Sequence, residues 1–310
     1  MKNPQNKKTA KQNAAKLPAV GFIGIGLMGA PMANNLLRGG FSVAIYDRAP
    51  KAAAQFAGKR GCRIAASPED AADNADILIC MLPNSRITRD ALFGKNGAAK
   101  KLRRGALVLE MGTGDLADFW KTEKRLRARG VRIMDAPVGR SRREAASGDL
   151  LIMAGGDAKT VAPLRPLLSV LGSDIICGGA TGAGLKLKMV NNYISIVNCL
   201  IAAEGLAFAE VLDLPRKETM SVLEKTPAGR GHFLTTYPRK VLRGDIAPDF
   251  GMALALKDMR LALKLGAREN MPLLLGRAAK KRMEQSEEFG HLKDDWTALF
   301  CVMQKLAAKQ

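Results

Sequence analysis

The longest uninterrupted helical pattern in the chain runs from Gly182 to Leu212. This segment contains no proline and consists mostly of apolar residues and good helix formers. At about 1.5 Å per residue, a helix of this length spans about 45 Å, which is more than an ordinary globular helix. We therefore expect the helix to pass from one domain into another, and the chain to contain two folded domains.

A short polar stripe interrupts the apolar character of this segment. Lys188, Asn191, Asn192 and Ser195 follow each other at helical spacing, so they lie on one face of the predicted helix. Buried polar groups need partners, because an unpaired one costs about 1–3 kcal/mol. The partners are either the protein's own backbone or a ligand, and the stripe alone does not decide between the two.

A dinucleotide-binding pattern lies near the start of the chain. The apolar run Ala19–Ile23 leads into a glycine motif formed by Gly24, Gly26 and Gly29, and a helical pattern follows. In this context the first glycine permits a tight turn, and the second lets the backbone approach a pyrophosphate. The third lets the helix pack closely on the strand. The motif therefore predicts a bound dinucleotide cofactor.

The acidic residue expected in such a site is Asp47, at the end of the next apolar run. A carboxylate here accepts hydrogen bonds from the hydroxyls of the adenosine ribose and repels a 2′-phosphate, which favours NAD. The neighbouring Arg48 has the opposite effect, because a guanidinium accommodates a 2′-phosphate. The sequence predicts NAD as the cofactor and leaves NADP as the alternative.

Buried-strand patterns alternate with helical patterns as far as residue 177. Further strands are predicted at Ala75–Leu82, Leu107–Met111, Val131–Ala136, Leu151–Ala154 and Ile175–Cys177. This alternation predicts an α/β fold with a parallel, doubly wound sheet of Rossmann type, whose ligands bind beyond the carboxyl ends of the strands. After Gly184 only helical patterns remain. We expect a basic disordered tail over 1–17, a dinucleotide-binding domain over 18–181 and an all-α substrate and oligomerisation domain over 182–310, joined by the long helix.

Composition argues against several classes of protein and site. The five cysteines show no paired spacing and only two histidines are present, so we expect no disulfide and no metal site, and a reducing, cytoplasmic location. The apolar runs are interpreted as too short and too interrupted to span a membrane. The net charge of +20 is not accompanied by a nucleic-acid motif, so no specific nucleic-acid partner is predicted.

Several stretches together resemble the β-hydroxyacid dehydrogenases, the 3-hydroxyisobutyrate dehydrogenase group. They are GFIGIGLMGAPMANNL at Gly21–Leu36, MLPN at Met81–Asn84, DAPVGR at Asp135–Arg140, Lys188-x-x-Asn191-Asn192, and Phe250 with Lys257-Asp258. The resemblance implies hydride transfer between NAD and a small anionic substrate, with Lys188 as catalytic acid or base and Asn192 holding the substrate. It also implies cofactor contacts from Leu27, Met28, Leu82, Thr113 and Lys257.

The chain departs from the common family pattern in two places, and the first of them narrows the expected substrate. The usual DAPVSGG loop, whose Ser-Gly binds a carboxylate, reads DAPVGRS and ends in Arg140 and Ser141, and the usual Asp-x-Ser-Thr segment begins instead with Glu110. With the segments NNYISI and AGRGHF, this loop resembles the sulfolactaldehyde reductase branch. A forked, permanently charged guanidinium suits a sulfonate, so Arg140 and Ser141 are predicted to bind the anionic head of the substrate. The predicted orienting residues are Asn191, Asn192 and Ser195.

Alternatives to this interpretation remain open at the level of the sequence. Within the enzymes, the alternative is a succinic semialdehyde, γ-hydroxybutyrate or 3-hydroxyisobutyrate type of dehydrogenase. From another class, the alternative is a non-catalytic, cofactor-binding reader, which the basic charge suggests and the presence of Lys188 opposes. The expected partners are a small anionic substrate and further copies of the chain, in a homodimer or homotetramer.

Overall fold

In the computed structural model of the protein, residues 17–308 are described, and the predicted tail lies outside them except for Leu17. The chain divides into two compact units, one ending at Tyr193 and the other beginning at Ile194. The division falls inside the long helix rather than at its start near residue 182. The reason is that the first turn of this helix, with Leu185, packs into the core of the first unit.

The first unit is an alternation of strands and helices. Its strands are β1 (Val20–Ile23), β2 (Val43–Tyr46), β3 (Cys62–Ile64), β4 (Ile77–Cys80), β5 (Leu107–Glu110), β6 (Arg132–Asp135), β7 (Val138–Gly139), β8 (Leu151–Ala154) and β9 (Asp174–Cys177). Its helices are α1 (Gly29–Arg38), α2 (Pro50–Ala54), α3 (Pro68–Ala72), α4 (Ser85–Phe93), α5 (Leu116–Arg127), α6 (Arg142–Ser147), α7 (Ala158–Val161) and α8 (Arg165–Leu168). Polar residues fix several helix starts: Ser67, Asn84 and Asp115 each accept a hydrogen bond from a backbone N–H in the first turn.

The first six strands form a parallel sheet in the order β3-β2-β1-β4-β5-β6. This is the order of the dinucleotide-binding fold, so the predicted Rossmann-type sheet is confirmed. Strands β1, β4 and β5 are buried at every position, because helices cover both faces of the sheet. Pairing in register places Ile23, Cys80, Glu110 and Asp135 side by side at the carboxyl edge.

A second, smaller sheet completes this unit. Strand β7 pairs antiparallel with β8, and β8 pairs parallel with β9. The sequence pattern identified β8 and β9 as strands, and the structure places them in this separate three-stranded sheet rather than in the large one.

The second unit is helical, as predicted. Its helices are the remainder of α9 (Ala183–Val211), α10 (Arg216–Lys225), α11 (Pro227–Arg230), α12 (Met252–Arg268), α13 (Leu274–Glu288) and α14 (Leu299–Ala308). A small core of buried residues from α12 and α13 holds it together, and it includes Met252, Leu256 and Met283.

The long helix α9 corrects one expectation. It has 29 residues, and its most apolar stretch has a mean hydropathy of 1.7, with 6% of that stretch buried. Among the described helices, this one has the length and composition to cross a membrane, so the interpretation that every apolar run is too short is wrong. Helices that bury an apolar face against protein meet the same criterion.

Candidate active site

The glycine-rich loop between β1 and α1 has the backbone that a dinucleotide needs. Gly24 has a φ of 102°, and a Cβ there would lie 2.3 Å from the carbonyl oxygen of Met81. A Cβ on Gly29 would lie 1.9 Å from the carbonyl oxygen of Gly24, which shows how closely the helix packs on the loop. At Gly26 nothing described lies within 4 Å of a Cβ, so its backbone is open to a ligand. No side chain caps the start of α1. The N–H of Ala30 donates to the carbonyl oxygen of Gly26 and Pro31 has no N–H, so the N–H groups of the loop over 26–29 are the ones that suit a phosphate.

The loops after β1, β4 and β5 meet at the same edge of the sheet. A Cβ on Gly24 would lie 3.0 Å from the side chain of Leu82, and one on Gly112 would lie 2.6 Å from the carbonyl oxygen of Leu82. Leu27 is 73% exposed on this edge. The partly exposed neighbours are Met28, Leu82 and Thr113. The structure therefore brings together the predicted cofactor residues of the first unit.

Asp47 lies just after β2 and braces the glycine-rich loop. Its Oδ2 accepts a hydrogen bond from the N–H of Ile25 at 2.6 Å, and its Oδ1 accepts one from the N–H of Ala49 at 2.8 Å. A carboxylate offers about four acceptor positions, so each oxygen keeps one position for a ribose hydroxyl. Arg48 is exposed beside it.

Beneath this edge lies a buried carboxyl group that the sequence pattern had marked only as a departure. Glu110 is 7% exposed, and its Oε1 accepts a hydrogen bond from the N–H of Gly112 at 3.1 Å. Burial raises the pKa of Glu110 to about 7, although hydrogen bonds from Thr88 and Gly112 lower it; the nearby Asp135 raises it further. A cavity of about 20 Å³ lies beside it, with room for about one water molecule.

The polar stripe of α9 presents groups that the protein leaves largely unused. The side chain of Lys188 is half-buried, and it forms no hydrogen bond or ion pair within residues 17–308. Burial lowers the pKa of Lys188 from its ordinary value. The amide of Asn191 donates a hydrogen bond to that of Asn192 at 3.2 Å, which leaves the other half of each amide free. Ser195 continues the stripe and is exposed.

In contrast to the stripe, the side chains of the loop after β7 already have hydrogen-bond partners within the protein. The guanidinium of Arg140 binds the carbonyl oxygen of Asp149, the hydroxyl of Ser173 at 3.0 Å and the carboxylate of Asp174. Arg140 also has a φ of 74°, in the left-handed region that these contacts hold in place. Ser141 caps α6, where its N–H and hydroxyl both donate to Glu144. To bind the anionic head of the substrate as predicted, the guanidinium of Arg140 has to release the carboxylate of Asp174.

Two further residues lie in the second unit. Lys257 is exposed on α12 and pairs with Asp258 at 2.8 Å; its contact with the cofactor stays a prediction from the resemblance. The Nδ1 atom of His232 lies 2.7 Å from the hydroxyl of Thr236, and its ring packs edge-on against Trp296 at 4.8 Å. Burial lowers the pKa of His232, and these contacts favour a structural role for this residue. Within the described chain, no group of three or more His, Cys, Asp or Glu residues is placed to hold a metal ion.

The sequence patterns missed the polar groups that join the site's loops. The hydroxyl of Ser85 accepts a hydrogen bond from the N–H of Asp115 at 2.8 Å, so it ties the loop after β4 to the loop after β5. The hydroxyl of Thr88 donates a hydrogen bond to the carboxyl of Glu110 and so ties α4 to the end of β5. One sequence feature could have indicated these contacts: an acidic residue at the end of a strongly apolar strand. Both Glu110 and Asp135 occupy such a position.

Comparisons with known proteins give the family of this chain. The model of the NAD binding domain of 6-phosphogluconate dehydrogenase matches residues 19–179, and that of the NAD-binding region of NADP-dependent 3-hydroxyisobutyrate dehydrogenase matches residues 182–303. The chain is 39% identical over 283 residues to 3-sulfolactaldehyde reductase of Escherichia coli (strain K12), covering 91% of this chain and 95% of that protein. It is 34% identical over 294 residues to the mitochondrial 3-hydroxyisobutyrate dehydrogenase of Homo sapiens, covering 93% and 87%.

A solved structure agrees over nearly the whole chain. The Mycobacterium tuberculosis 3-hydroxyisobutyrate dehydrogenase with L-serine has a TM-score of 0.65 and 29% identity, covering 93% of this chain and 99% of that one. The chain therefore belongs to the 3-hydroxyisobutyrate dehydrogenase family and is an NAD-dependent hydroxyacid dehydrogenase.

Proposed function

We propose that the chain reduces 3-sulfolactaldehyde to 2,3-dihydroxypropane-1-sulfonate with NADH. The observation that carries the proposal is Lys188, a half-buried ammonium without a partner in the described chain, at the head of a stripe of free polar groups. The 39% identity to a 3-sulfolactaldehyde reductase supports the choice of substrate. When bound, the nicotinamide supplies the hydride that reaches the carbonyl carbon.

Lys188 supplies the proton. Its ammonium donates a hydrogen bond to the carbonyl oxygen and transfers the proton as that oxygen becomes an alkoxide. In the oxidative direction the neutral amine accepts the hydroxyl proton instead. Because burial disfavours the ammonium and lowers its pKa, the amine is more accessible near neutral pH than that of an exposed lysine.

The substrate's anionic head is held by polar groups around Lys188 in this proposal. Asn191, Asn192 and Ser195 contribute free donors along α9. Arg140 contributes its guanidinium after it releases Asp174; that ion pair is partly exposed, and such pairs contribute about 0–1 kcal/mol. Exchanging this ion pair for one with a substrate anion therefore costs little, and the hydrogen bonds to Asp149 and Ser173 are the further contacts that a moving guanidinium would give up.

A carboxylate semialdehyde is the second candidate. The engagement of Arg140 by Asp174 favours it, because this contact occupies the group that best distinguishes a sulfonate from a carboxylate. The 34% identity to a 3-hydroxyisobutyrate dehydrogenase is consistent with it. Initial rates with 3-sulfolactaldehyde, succinic semialdehyde and 3-hydroxyisobutyrate decide between the candidates. A higher kcat/KM for either of the last two contradicts the sulfonate assignment.

The role of Lys188 has its own test. We expect Lys188→Ala to lower kcat by about 10²–10⁴-fold, the usual contribution of a general acid or base, and to leave NADH binding unchanged. Lys186→Ala, an exposed lysine on the same helix, is the matched control and should turn over normally. In the wild type, oxidation should speed up as pH rises through the lowered pKa of Lys188. Normal turnover in Lys188→Ala removes this residue from the mechanism.

We also propose that the active species is a homo-oligomer. The exposed apolar side chains of α9 include Val190, Tyr193, Ile196 and Leu200, at 53–72% exposure. At about 100° per residue, Val190, Tyr193 and Leu200 lie about 120–160° around the helix from Lys188, and Ile196 lies beside them at about 80°. Soluble monomers rarely leave so large an apolar surface uncovered, and a second copy of the chain is the occupant we propose.

A cytoplasmic location is proposed as well, since all five cysteines are free.

A further inference from the structure

Asp135 ends β6 and is fully buried, at 0% exposure. Its Oδ1 accepts a hydrogen bond from the N–H of Gly182 at 2.6 Å, and its Oδ2 accepts one from the N–H of Leu185 at 2.8 Å. These N–H groups belong to the beginning of α9, where a helix has no internal partners for them. A carboxylate at this point also meets the positive end of the helix dipole. Asp135 thus caps α9 from a strand about 50 residues earlier in the chain.

Two glycines make room for this carboxylate. A Cβ on Gly155, just after β8, would lie 1.8 Å from the Oδ1 of Asp135. A Cβ on Gly184 would lie 3.0 Å from its Oδ2 and 2.1 Å from the carbonyl oxygen of Met153. The carboxylate, the end of β8 and the first turn of α9 are therefore packed without spare volume. Any displacement of the carboxylate moves the first turn of the helix.

Lys188 follows Leu185 by three residues on the same helix, about 4.5 Å further along its axis. A helix is stiff over one turn, so the position of its first turn decides where the next turn presents its side chains. We propose that Asp135 is a positioning residue for Lys188, holding the first turn of α9 so that the ammonium keeps its half-buried place at the head of the polar stripe. This inference rests on the proposed role of Lys188 in catalysis.

Electrostatics add a second consequence. The titratable side chain that faces Asp135 from β5 is Glu110, while β8 and α9 present backbone groups to it. Burial is what lowers the pKa of Lys188. If the first turn of α9 is no longer held in place, Lys188 should lose part of its burial, and its pKa should move back toward the ordinary value.

The first test is Asp135→Asn. Asparagine keeps the size and one acceptor oxygen, but its NH₂ group faces one of the two helix N–H groups. We expect kcat to fall by about 10- to 100-fold, the size of effect that a misplaced catalytic group produces, with NADH affinity unchanged. The pH at which oxidation reaches half its maximal rate should rise, because a misplaced Lys188 is less buried. Measuring the same profile in Glu110→Gln separates the titration of Glu110 from that of Lys188.

The matched control is Asp157→Asn. Asp157 caps α7 by accepting a hydrogen bond from the N–H of Thr160 at 2.8 Å, and it lies in the loop after β8, so the same substitution removes a cap of another helix. Its kcat and pH profile should remain those of the wild type.

A double-mutant cycle separates positioning from general stability. If Asp135 acts through Lys188, Asp135→Asn should cause no further loss of the residual rate in a Lys188→Ala background. An additive loss overturns the inference. If Asp135→Asn does not fold, Gly155→Ala provides the second variant, since its Cβ displaces the carboxylate from the side of β8. It should reproduce the loss of kcat and the shifted profile.

The outcomes separate this inference from the function it rests on. An inactive Lys188→Ala, together with wild-type kcat and pH profile in both Asp135→Asn and Gly155→Ala, overturns the positioning role and leaves the proposed chemistry intact. Normal turnover in Lys188→Ala overturns the proposed chemistry itself.

Discussion

The carboxylate of Asp47 has a structural and a predicted ligand-binding task at once. It holds the glycine-rich loop through the N–H of Ile25 and keeps acceptor positions for the ribose. Removing it deletes charge-assisted hydrogen bonds of about 1.5–3 kcal/mol each, so Asp47→Ala should raise the KM for NADH by about 10- to 100-fold. The KM for NADPH should change less, because the 2′-phosphate is no longer repelled. Arg48→Ala is the control and should leave the KM for NADH unchanged. A wild type that prefers NADPH contradicts this interpretation.

Arg140 is a second residue with two possible partners. Its exposed pair with Asp174 contributes little, whereas leaving a bound substrate anion unpaired costs about 2–4 kcal/mol. Arg140→Ala should therefore lower kcat/KM for 3-sulfolactaldehyde by about 30-fold or more. Asp174→Asn removes the same ion pair but keeps the guanidinium, so it should leave kcat/KM unchanged or raise it. If both variants change kcat/KM to the same extent, Arg140 only stabilises the corner between β8 and β9 and does not bind the substrate.

At the level of elements, the strongly periodic segments were predictable. The pattern for β8 gave Leu151–Ala154, the range seen in the structure, and that for β1 differed by one residue. Strand β3 was missed because it is an edge strand with two exposed residues, so no buried pattern marks it. Helix α6 was missed because a run of six residues that begins with two arginines has no apolar period.

The parts of the site that depend on residue spacing within one element were predictable from the sequence. The parts that depend on contacts between residues distant in sequence were not. The glycine motif and the stripe that begins at Lys188 follow from spacing within one element. The cap from Asp135 to α9 and the pair between Arg140 and Asp174 join residues more than 30 positions apart. Single-sequence periodicity contains no information about such pairs, so the engagement of Arg140 and the role of Asp135 emerged only from the structure.

The buried Glu110 at the end of β5 leads to a prediction about how folding stability depends on pH. Folded Glu110 holds its proton up to about pH 7, against an ordinary value of 4.5, so the folded state binds more protons than the unfolded state between these values. Stability from this group is complete below pH 4.5 and is lost as pH rises through 7. At about 1.4 kcal/mol per pH unit, the full loss is about 3–4 kcal/mol.

Glu110→Gln tests this, because glutamine keeps the acceptor for the N–H of Gly112 and does not ionise. Relative to the wild type, the variant should gain about 3 kcal/mol in free energy of unfolding between pH 4.5 and 8. Chemical denaturation of both proteins across this range measures the gain. Glu218→Gln, an exposed position on α10, is the control and should show no such trend. A constant difference between variant and wild type would mean that Glu110 ionises normally.

For the molecule as a whole, membership in a dehydrogenase family narrows the function. The alternative of a non-catalytic reader rested on the basic charge of the chain, whereas the matched relatives are named dehydrogenases and reductases over most of their length. The net charge of +20 therefore does not require a nucleic-acid role for this chain.

The last prediction concerns the covering of α9. Leu200 is 53% exposed on the apolar side of this helix, and a buried leucine contributes about 1.5–3 kcal/mol relative to an exposed one. In a symmetric dimer each substitution acts twice, and a charge placed between apolar surfaces costs more than the lost contact. Leu200→Glu should therefore shift the wild-type oligomer to monomer in sedimentation or light-scattering measurements at micromolar concentration. Asn198→Glu places the same charge on another side of the same helix and should leave the oligomer intact. A monomeric wild type contradicts the proposed second copy, and so does recovery of the wild type only from the membrane fraction.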